Sequence, residues 1–375
     1  MSRFHGSVLP WVALVGLIGA ALLPLDAAEP ASRLARFGPQ GWSLLVAMTA
    51  AILAAILARR SLVAVLLLAL AAHGGAAMAI GLAPAIGGHA GSGYWALVVT
   101  SWLLAWGLVS ELSEWPRQRG LRGLPLSLLI PLLFGLWLLI LWQIIVVAFA
   151  VPFVLIPPPS AIGVRIVGSI PILAADFRQT FLKSVVAGYA IGCGAGFLVA
   201  ILVDRIGFLK RGLLPIGNLV SALPMVGIAP IMVMWFGFDW PSKAAVVVVS
   251  TFFPMLVNTV TGLSASQPIS RDLMRTYASS YWQTLFKLRL PEATPFVFNA
   301  LKINSTLALI AAIVAEFFGT PIVGMGFRIS TEVGRMNIDM VWAEIAVAAL
   351  AGSAFYGAVA LIERAATFWH PSFRT

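Results

Sequence analysis

The chain has 375 residues, 60% of them hydrophobic and only 10% charged, with 24 Lys and Arg against 14 Asp and Glu. Soluble domains carry about 25% charged residues, and a mean hydropathy of +0.97 argues against both a soluble enzyme and an outer-membrane barrel. The net charge of +10 is scattered through short loops with no basic run or stripe, which points to membrane orientation and not to a nucleic-acid partner.

Apolar runs long enough to cross ~30 Å of hydrocarbon as helices recur along the chain. In order, the expected spans are 8–25, 41–58, 61–82, 94–110, 124–155, 181–203, 213–237, 242–264, 296–318 and 341–364. This predicts an all-α polytopic membrane protein of about ten transmembrane helices. The first run resembles a signal peptide, but Asp26 stands where cleavage wants a small residue, so an uncleaved span is expected. Arg59-Arg60 separates the second and third spans, since charges cannot lie unpaired in hydrocarbon. Segment 124–155 carries Pro125 and Pro131 and is expected to start as a surface helix. With the N-terminus inside, loop Lys and Arg count 16 inside against 8 outside, so both termini are expected in the cytoplasm.

The chain divides near residue 123. The part before it is Ala- and Leu-rich with a Gly-rich outer loop, Gly81 to Gly93, and the charged segment Glu111–Arg122 leads into the second part. Most structured polar features lie in 124–375. The outer stretch Ile156–Thr180 opens with Pro157-Pro158-Pro159-Ser160 and turns amphipathic.

Several chemistries have no machinery in this sequence. One cysteine, Cys193, leaves no internal disulfide and no Cys-based metal cluster, and its Gly and Ala neighbours suit a small packing residue. The histidines His5, His73, His89 and His370 show no metal-ligand spacing; His73 reads as a packing residue or as a polar pathway group. No phosphate-binding G-x-x-x-x-G-K-[ST], no H-E-x-x-H and no G-x-S-x-G occurs. No metal, cofactor or catalytic residue is therefore assigned, and the chain cannot bind ATP through a phosphate loop.

The longest inner loop, Ser264–Thr294, is the most informative segment. Asp272 to Arg289 reads as one helix with Ser270 as N-cap and Asp272 in its first turn. Pro291 and Pro295 are expected to end it and restart the next span. Its basic and aromatic residues, Arg271, Arg275, Lys287, Arg289, Tyr277, Tyr281, Trp282 and Phe286, suit docking into a partner's groove or lying on anionic lipid.

Asp272-Leu273-Met274-Arg275-Thr276-Tyr277-Ala278, then Trp282-Gln283 and Leu290-Pro291, resembles the cytoplasmic coupling loop of ABC importer permeases. That pattern runs Glu-Ala-Ala, three residues, Gly, then a basic stretch ending in Leu-Pro. Here Asp272 stands for Glu, Leu273 and Met274 for the alanines, and Ala278 for Gly. Ala187-Gly188-Tyr189-Ala190-Ile191-Gly192, Ala222-Leu223-Pro224, Trp235-Phe236-Gly237, Phe252-Phe253-Pro254 with Asn258, Val314-Ala315-Glu316 and Gly324-Met325-Gly326 are similar, in order, to the nitrate/sulfonate/taurine class. The resemblance covers roughly 124–375, and the stretch Ala315–Thr320 is slightly more like pyrimidine/riboflavin-type members.

This resemblance implies a six-helix type I importer core at 124–375, preceded by four extra helices at 1–123. It implies a pair of permease subunits, most simply a homodimer, in the bacterial inner membrane. Two ABC ATPase subunits would bind the 265–297 loop, and a periplasmic or lipid-anchored substrate-binding protein the outer face. Asp272, Arg275, Ala278, Trp282, Lys287, Leu290 and Pro291 are the expected ATPase-coupling residues. Met255, Asn258, Asn304 and Glu316 are the pathway candidates, each with a packing or capping reading beside it. Lys302 either snorkels to the inner surface or forms a salt bridge. The alternative is an autonomous secondary transporter or channel using His73, Glu316 or Glu344. It lacks inverted halves and multiple intramembrane charges.

Overall fold

The computed structural model describes residues 2–29, 38–57, 62–119, 124–221, 224–319 and 322–368. The described residues are helical almost throughout, as hydrocarbon demands of any backbone that must satisfy its own polar groups. They fall into two compact units, Met1–Ile162 and Gly163–Thr375.

The first unit contains α1 (Ser2–Leu22), α2 (Gly38–Leu57), α3 (Leu62–Ile86), α4 (Ser92–Arg119) and α5 (Leu124–Ala148). Helix α4 packs on α1 and α3, and α5 on α3 and α4. Small residues set the approach: Gly16 faces Thr100, and Gly75 faces Ser101. Without a hydrophobic force between helices in lipid, such close backbone contact supplies much of the attraction. Tyr94, fully buried, donates its hydroxyl to Ala79 O at 3.0 Å. His73 has Nδ1 2.8 Å from Ala69 O and meets the Trp137 ring edge-on at 5.6 Å, the geometry of a packing histidine. The span expected over 124–155 stops as a helix at Ala148, because Ala150 takes a left-handed conformation (φ 47) and Pro152 follows.

After α6 (Pro159–Gly168), the second unit contains α7 (Ile170–Arg205), α8 (Gly207–Ser221), α9 (Met225–Phe236), α10 (Trp240–Ser264), α11 (Pro268–Thr276), α12 (Tyr281–Glu316), α13 (Met325–Gly334) and α14 (Ile338–Ala366). Among the described residues seven helices are long and apolar enough to cross a membrane, and Val8–Leu22, Gln40–Ala54 and Met225–Phe236 are shorter apolar helices. Three expectations need correction. The run 213–237 is two helices, because Pro224 (ψ 123) starts the second one extended. The spans expected at 181–203 and 296–318 are longer, as parts of 36-residue helices. Both contain a π-helical stretch, Arg178–Val185 in α7 and Leu285–Arg289 in α12.

Helix α10 is the hub of this unit, with its largest contacts to α12 and α7. A glycine ridge on α7 makes the second contact possible. A Cβ on Gly188 would lie 2.7 Å from Ala244 O, and one on Gly196 2.5 Å from Phe252 O. Neither carbonyl can retreat without breaking its own helix. Across the third side, buried Asn304 of α12 donates Nδ2 to Thr251 O on α10 at 2.8 Å and to Cys193 Sγ on α7 at 3.2 Å. Gly196→Ala should therefore overpack the α7–α10 contact at a cost of about 1–3 kcal/mol. Gly194→Ala on the same helix, where nothing lies within 4 Å, should be neutral. Melting temperatures of the two purified variants in one detergent would check the difference.

Candidate functional site

The inner loop is two helical pieces, not the single helix expected over 272–289. Helix α11 starts at Pro268 behind Gln267, so Ser270 is not its cap and Asp272 lies past its first turn. Pro at the first position suits a helix start, since its missing N–H would be unpaired there anyway. The helix closes as a Schellman turn: Ala278 N–H donates to Arg275 O at 2.8 Å and Ser279 N–H to Met274 O at 3.0 Å. That turn requires a left-handed residue, and Ala278 occupies it with φ 52. The Gly of the coupling-loop pattern has its physical reason at this position.

Ser280 then restarts the chain with a capping box. Its Oγ accepts from Gln283 N–H at 3.3 Å, and Gln283 Oε1 accepts from Ser280 N–H at 2.8 Å. From Tyr281 the helix continues unbroken to Glu316, so Pro291 and Pro295 do not interrupt it. The π stretch explains this. Leu290 N–H bonds Leu285 O, one residue further back than in an α-helix. Pro291 then falls at the start of the following α-helical run, where a missing N–H costs little.

The outward side of α11 is apolar. Ile269, Leu273 and Tyr277, four residues apart, are 74%, 56% and 77% exposed, a stripe along one helix face. On the following helix Trp282 and Phe286 are also exposed, their rings stacked at 6.0 Å. Asp272 and Arg275 are exposed and 3.5 Å apart, a distance and setting that contribute little. Lys287 is exposed, whereas Leu290 and Pro291 are partly buried and line a cleft of about 460 Å³ with Phe197, Phe286, Thr294 and Val297.

Behind the exposed face lies a buried ionic junction that sequence reading missed. Asp204, at the inner end of α7, accepts Nη1 and Nη2 of Arg289 at 2.7 and 2.6 Å. Arg289 Nε donates to Leu263 O at the end of α10, at 2.9 Å. Tyr281 OH donates to the same Asp204 carboxylate at 3.1 Å. Arg205 lies 5.4 Å from the ring centres of both Tyr281 and Trp282. The adjacent pair Asp204-Arg205 at the end of a span was the available signal.

The outer ends of the same spans are joined by a second polar cluster. Gly324 is the N-cap of helix α13, and the amides at this helix start are taken up by side chains from other helices. Gly324 N–H donates to Asp176 at 2.6 Å, Met325 N–H to Thr180 Oγ1 at 2.8 Å and Gly326 N–H to Glu316 at 2.7 Å. Carboxylates belong at this positive helix end. Gly324 has φ 145, and a Cβ there would lie 2.8 Å from the Glu316 carboxyl carbon. Thr180 also donates to Glu316 at 2.8 Å, and Arg328 Nε to Asp176 at 2.8 Å. Lys243, 1% exposed, donates to Phe238 O and Gly319 O. Nearby Asp239 caps α10, and the Trp240 N–H it accepts holds its carboxyl below the ordinary carboxylate range.

Residues 192–368 match the family described as binding-protein-dependent transport system inner membrane component. The chain is 30% identical over 222 residues to a probable ABC transporter permease protein of Haemophilus influenzae, covering 59% of this chain and 90% of that protein. It is 29% identical over 243 residues to the formylaminopyrimidine transport permease protein ThiX of Halalkalibacterium halodurans, 64% of this chain and 95% of the relative. It is 28% identical over 263 residues to the riboflavin transport system permease protein RibX of Chloroflexus aurantiacus, 69% of this chain and 92% of the relative. This chain belongs to the ABC importer permease family.

The permease is a multi-pass inner-membrane protein, the transport component of an ABC importer. Its four pathway candidates do not converge on one site. Met255 and Asn304 approach each other at the α7–α10–α12 contact, where Cys193 also packs. Asn258 donates to Pro254 O of its own helix and is half-buried. Glu316 belongs to the outer cluster. Lys302 pairs with Glu363 of α14 at 2.7 Å, with both side chains largely buried, so it does not snorkel. Glu344, named above for the alternative transporter reading, is fully buried on α14 beside Asp176.

The left-handed turn residue makes a direct prediction for the permease. Replacing Ala278 by Gly removes the Cβ penalty of that conformation and should stabilise the loop by about 0.5–1 kcal/mol after the entropy cost of glycine. Val at the same position should destabilise by more than Gly gains. Resistance of the loop to limited proteolysis in the purified permease, in the order Gly above Ala above Val, is the expected result.

Proposed function

We propose that this permease works as a homodimer with both termini in the cytoplasm, coupled to two ABC ATPase subunits through the 265–297 loop. ATP hydrolysis occurs in those subunits, and a periplasmic or lipid-anchored substrate-binding protein delivers solute to the outer face. The observation that carries this reading is the exposed apolar stripe Ile269, Leu273 and Tyr277, with exposed Trp282 and Phe286 on the following helix, on a segment tied rigidly to the spans. A chain with no phosphate loop draws its energy from outside, and a stripe of this size in water calls for a covering surface. Asp272, Arg275, Ala278 and Lys287 surround the stripe or shape its turn; Leu290 and Pro291 anchor its base.

The permease core runs from 124 to 375, and 1–123 is an added set of helices. The second compact unit spans 163 to 375, yet the riboflavin-transport relative aligns over 263 residues. Shared sequence therefore reaches back into the first unit, which supports counting α5 with the core. The solute is small, of nitrate/sulfonate/taurine or pyrimidine/riboflavin type, and the heteroaromatic second type is favoured. Support comes from the two relatives named for that type, of which the chain covers 95% and 92%.

Leu273→Asp tests the docking reading. A carboxylate placed in a dry protein interface without a partner costs several kcal/mol, and each ~1.4 kcal/mol is tenfold in affinity. Tagged permease co-expressed with its ATPase subunits should recover them, and Leu273→Asp should lose nearly all of that recovery at unchanged membrane insertion. Equal recovery from both proteins overturns the reading.

A further inference from the structure

We infer that Arg289, held by Asp204, is the transmission joint of the permease: a positioning residue that converts displacement of the coupling segment into concerted movement of three spans. This rests on the coupling reading above and adds the residue through which coupling passes.

The geometry argues for a joint and against a surface ion pair. Arg289 reaches three elements at once. Two of its nitrogens engage Asp204 on α7, the third engages the last turn of α10 at Leu263 O, and its own backbone belongs to α12. All donors point in fixed directions from one planar group, so the three helix ends keep a set mutual orientation. The pair is desolvated, with Asp204 4% and Arg289 15% exposed. Each charge left alone there would be costly, so the contact resists partial opening.

The position of the joint adds a second argument. Arg289 is the last residue of the π stretch Leu285–Arg289, and such stretches recur at functional sites in otherwise regular helices. On the loop side, Tyr281 bonds the same carboxylate and Arg205 covers Tyr281 and Trp282. Force applied to the aromatic docking face thus passes directly to Asp204 and Arg289. On the membrane side, α7, α10 and α12 converge again around Cys193, Asn304 and Thr251. Any relative tilt of the three spans must disturb that contact.

Cys193, the only cysteine of the chain and buried, is a native reporter for it. The complex of permease and ATPase subunits is treated with N-ethylmaleimide, with and without MgATP and orthovanadate, and alkylation of the permease is followed by mass. Wild type should change its Cys193 rate at least threefold on nucleotide trapping. Asp204→Asn and Arg289→Lys should recover ATPase as wild type does yet lose this response. Glu363→Gln, which breaks a buried pair away from the joint, should keep it. Arg289→Lys preserves the charge and serves if Asp204→Asn fails to accumulate. The inference is overturned if the variants respond like wild type, if they lose ATPase recovery instead, or if wild-type Cys193 does not respond. Failure of the docking reading shows separately, as wild-type permease that recovers no ATPase.

Discussion

The contact of α10 with α7 on one side and α12 on the other organises the second unit. Lipid offers no hydrophobic gain for bringing apolar helices together, so association has to come from close packing and from polar groups that lack any other partner. Both are present. Gly188 and Gly196 let the α7 backbone touch carbonyls of α10, and Asn304 ties α12 to α10 and α7 in the interior of the bundle. Widening the ridge by one methyl would separate the helices and leave the Asn304 amide without its acceptors.

Two clusters of charged groups lie at the inner and outer ends of the same three spans. At the inner end the guanidinium of Arg289 joins α7, α10 and α12. At the outer end Asp176 and Thr180 of α7 and Glu316 of α12 together receive the amides at the start of α13. Helix α12 contributes to both. Its 36 residues reach about 54 Å at 1.5 Å per residue, well beyond the hydrocarbon thickness. One continuous rod therefore begins beside the docking face and ends in the outer cluster, so a tilt at one end is felt at the other without any further linkage.

Much of this architecture was legible in the sequence, and the failures have definite causes. The all-helical, multi-span class and the order of the long apolar helices followed from apolar length, because the bilayer enforces it. The 272–291 segment was singled out from residue types around Asp272 and Leu290-Pro291. Its break was not, because Ala278 gives no sign of a left-handed turn that Gly would have announced. Pro291 and Pro295 were read as helix breakers, since a π stretch that accommodates a proline has no recognisable composition. The long-range pairs were invisible for another reason. Asp204 and Arg289 are 85 residues apart and Thr180 and Glu316 are 136 apart, and a single sequence carries no information on which polar residues share an end of a bundle. Asn304 and Glu316 were singled out as pathway candidates with a packing or capping reading beside each, and their partners came from the fold.

The choice of an arginine–aspartate pair at the inner junction carries its own logic. A buried ion pair is seldom more stabilising than well-packed apolar side chains of the same size, so stability alone does not account for Arg289 and Asp204. Apolar residues could hold α7, α10 and α12 together, but they would allow the helices to slide and rotate over one another with little penalty. A planar guanidinium with three directed bonds fixes both the distances and the angles between the helix ends. Lysine, with one rotating ammonium, would satisfy Asp204 while releasing Leu263 O and with it α10. The short Ala278–Ser280 connection, where α11 meets α12 through a left-handed turn and a fresh cap, lies apart from this pair. In the coupling proposed above, a stiff joint at the spans is what would carry a docked partner's movement into the membrane.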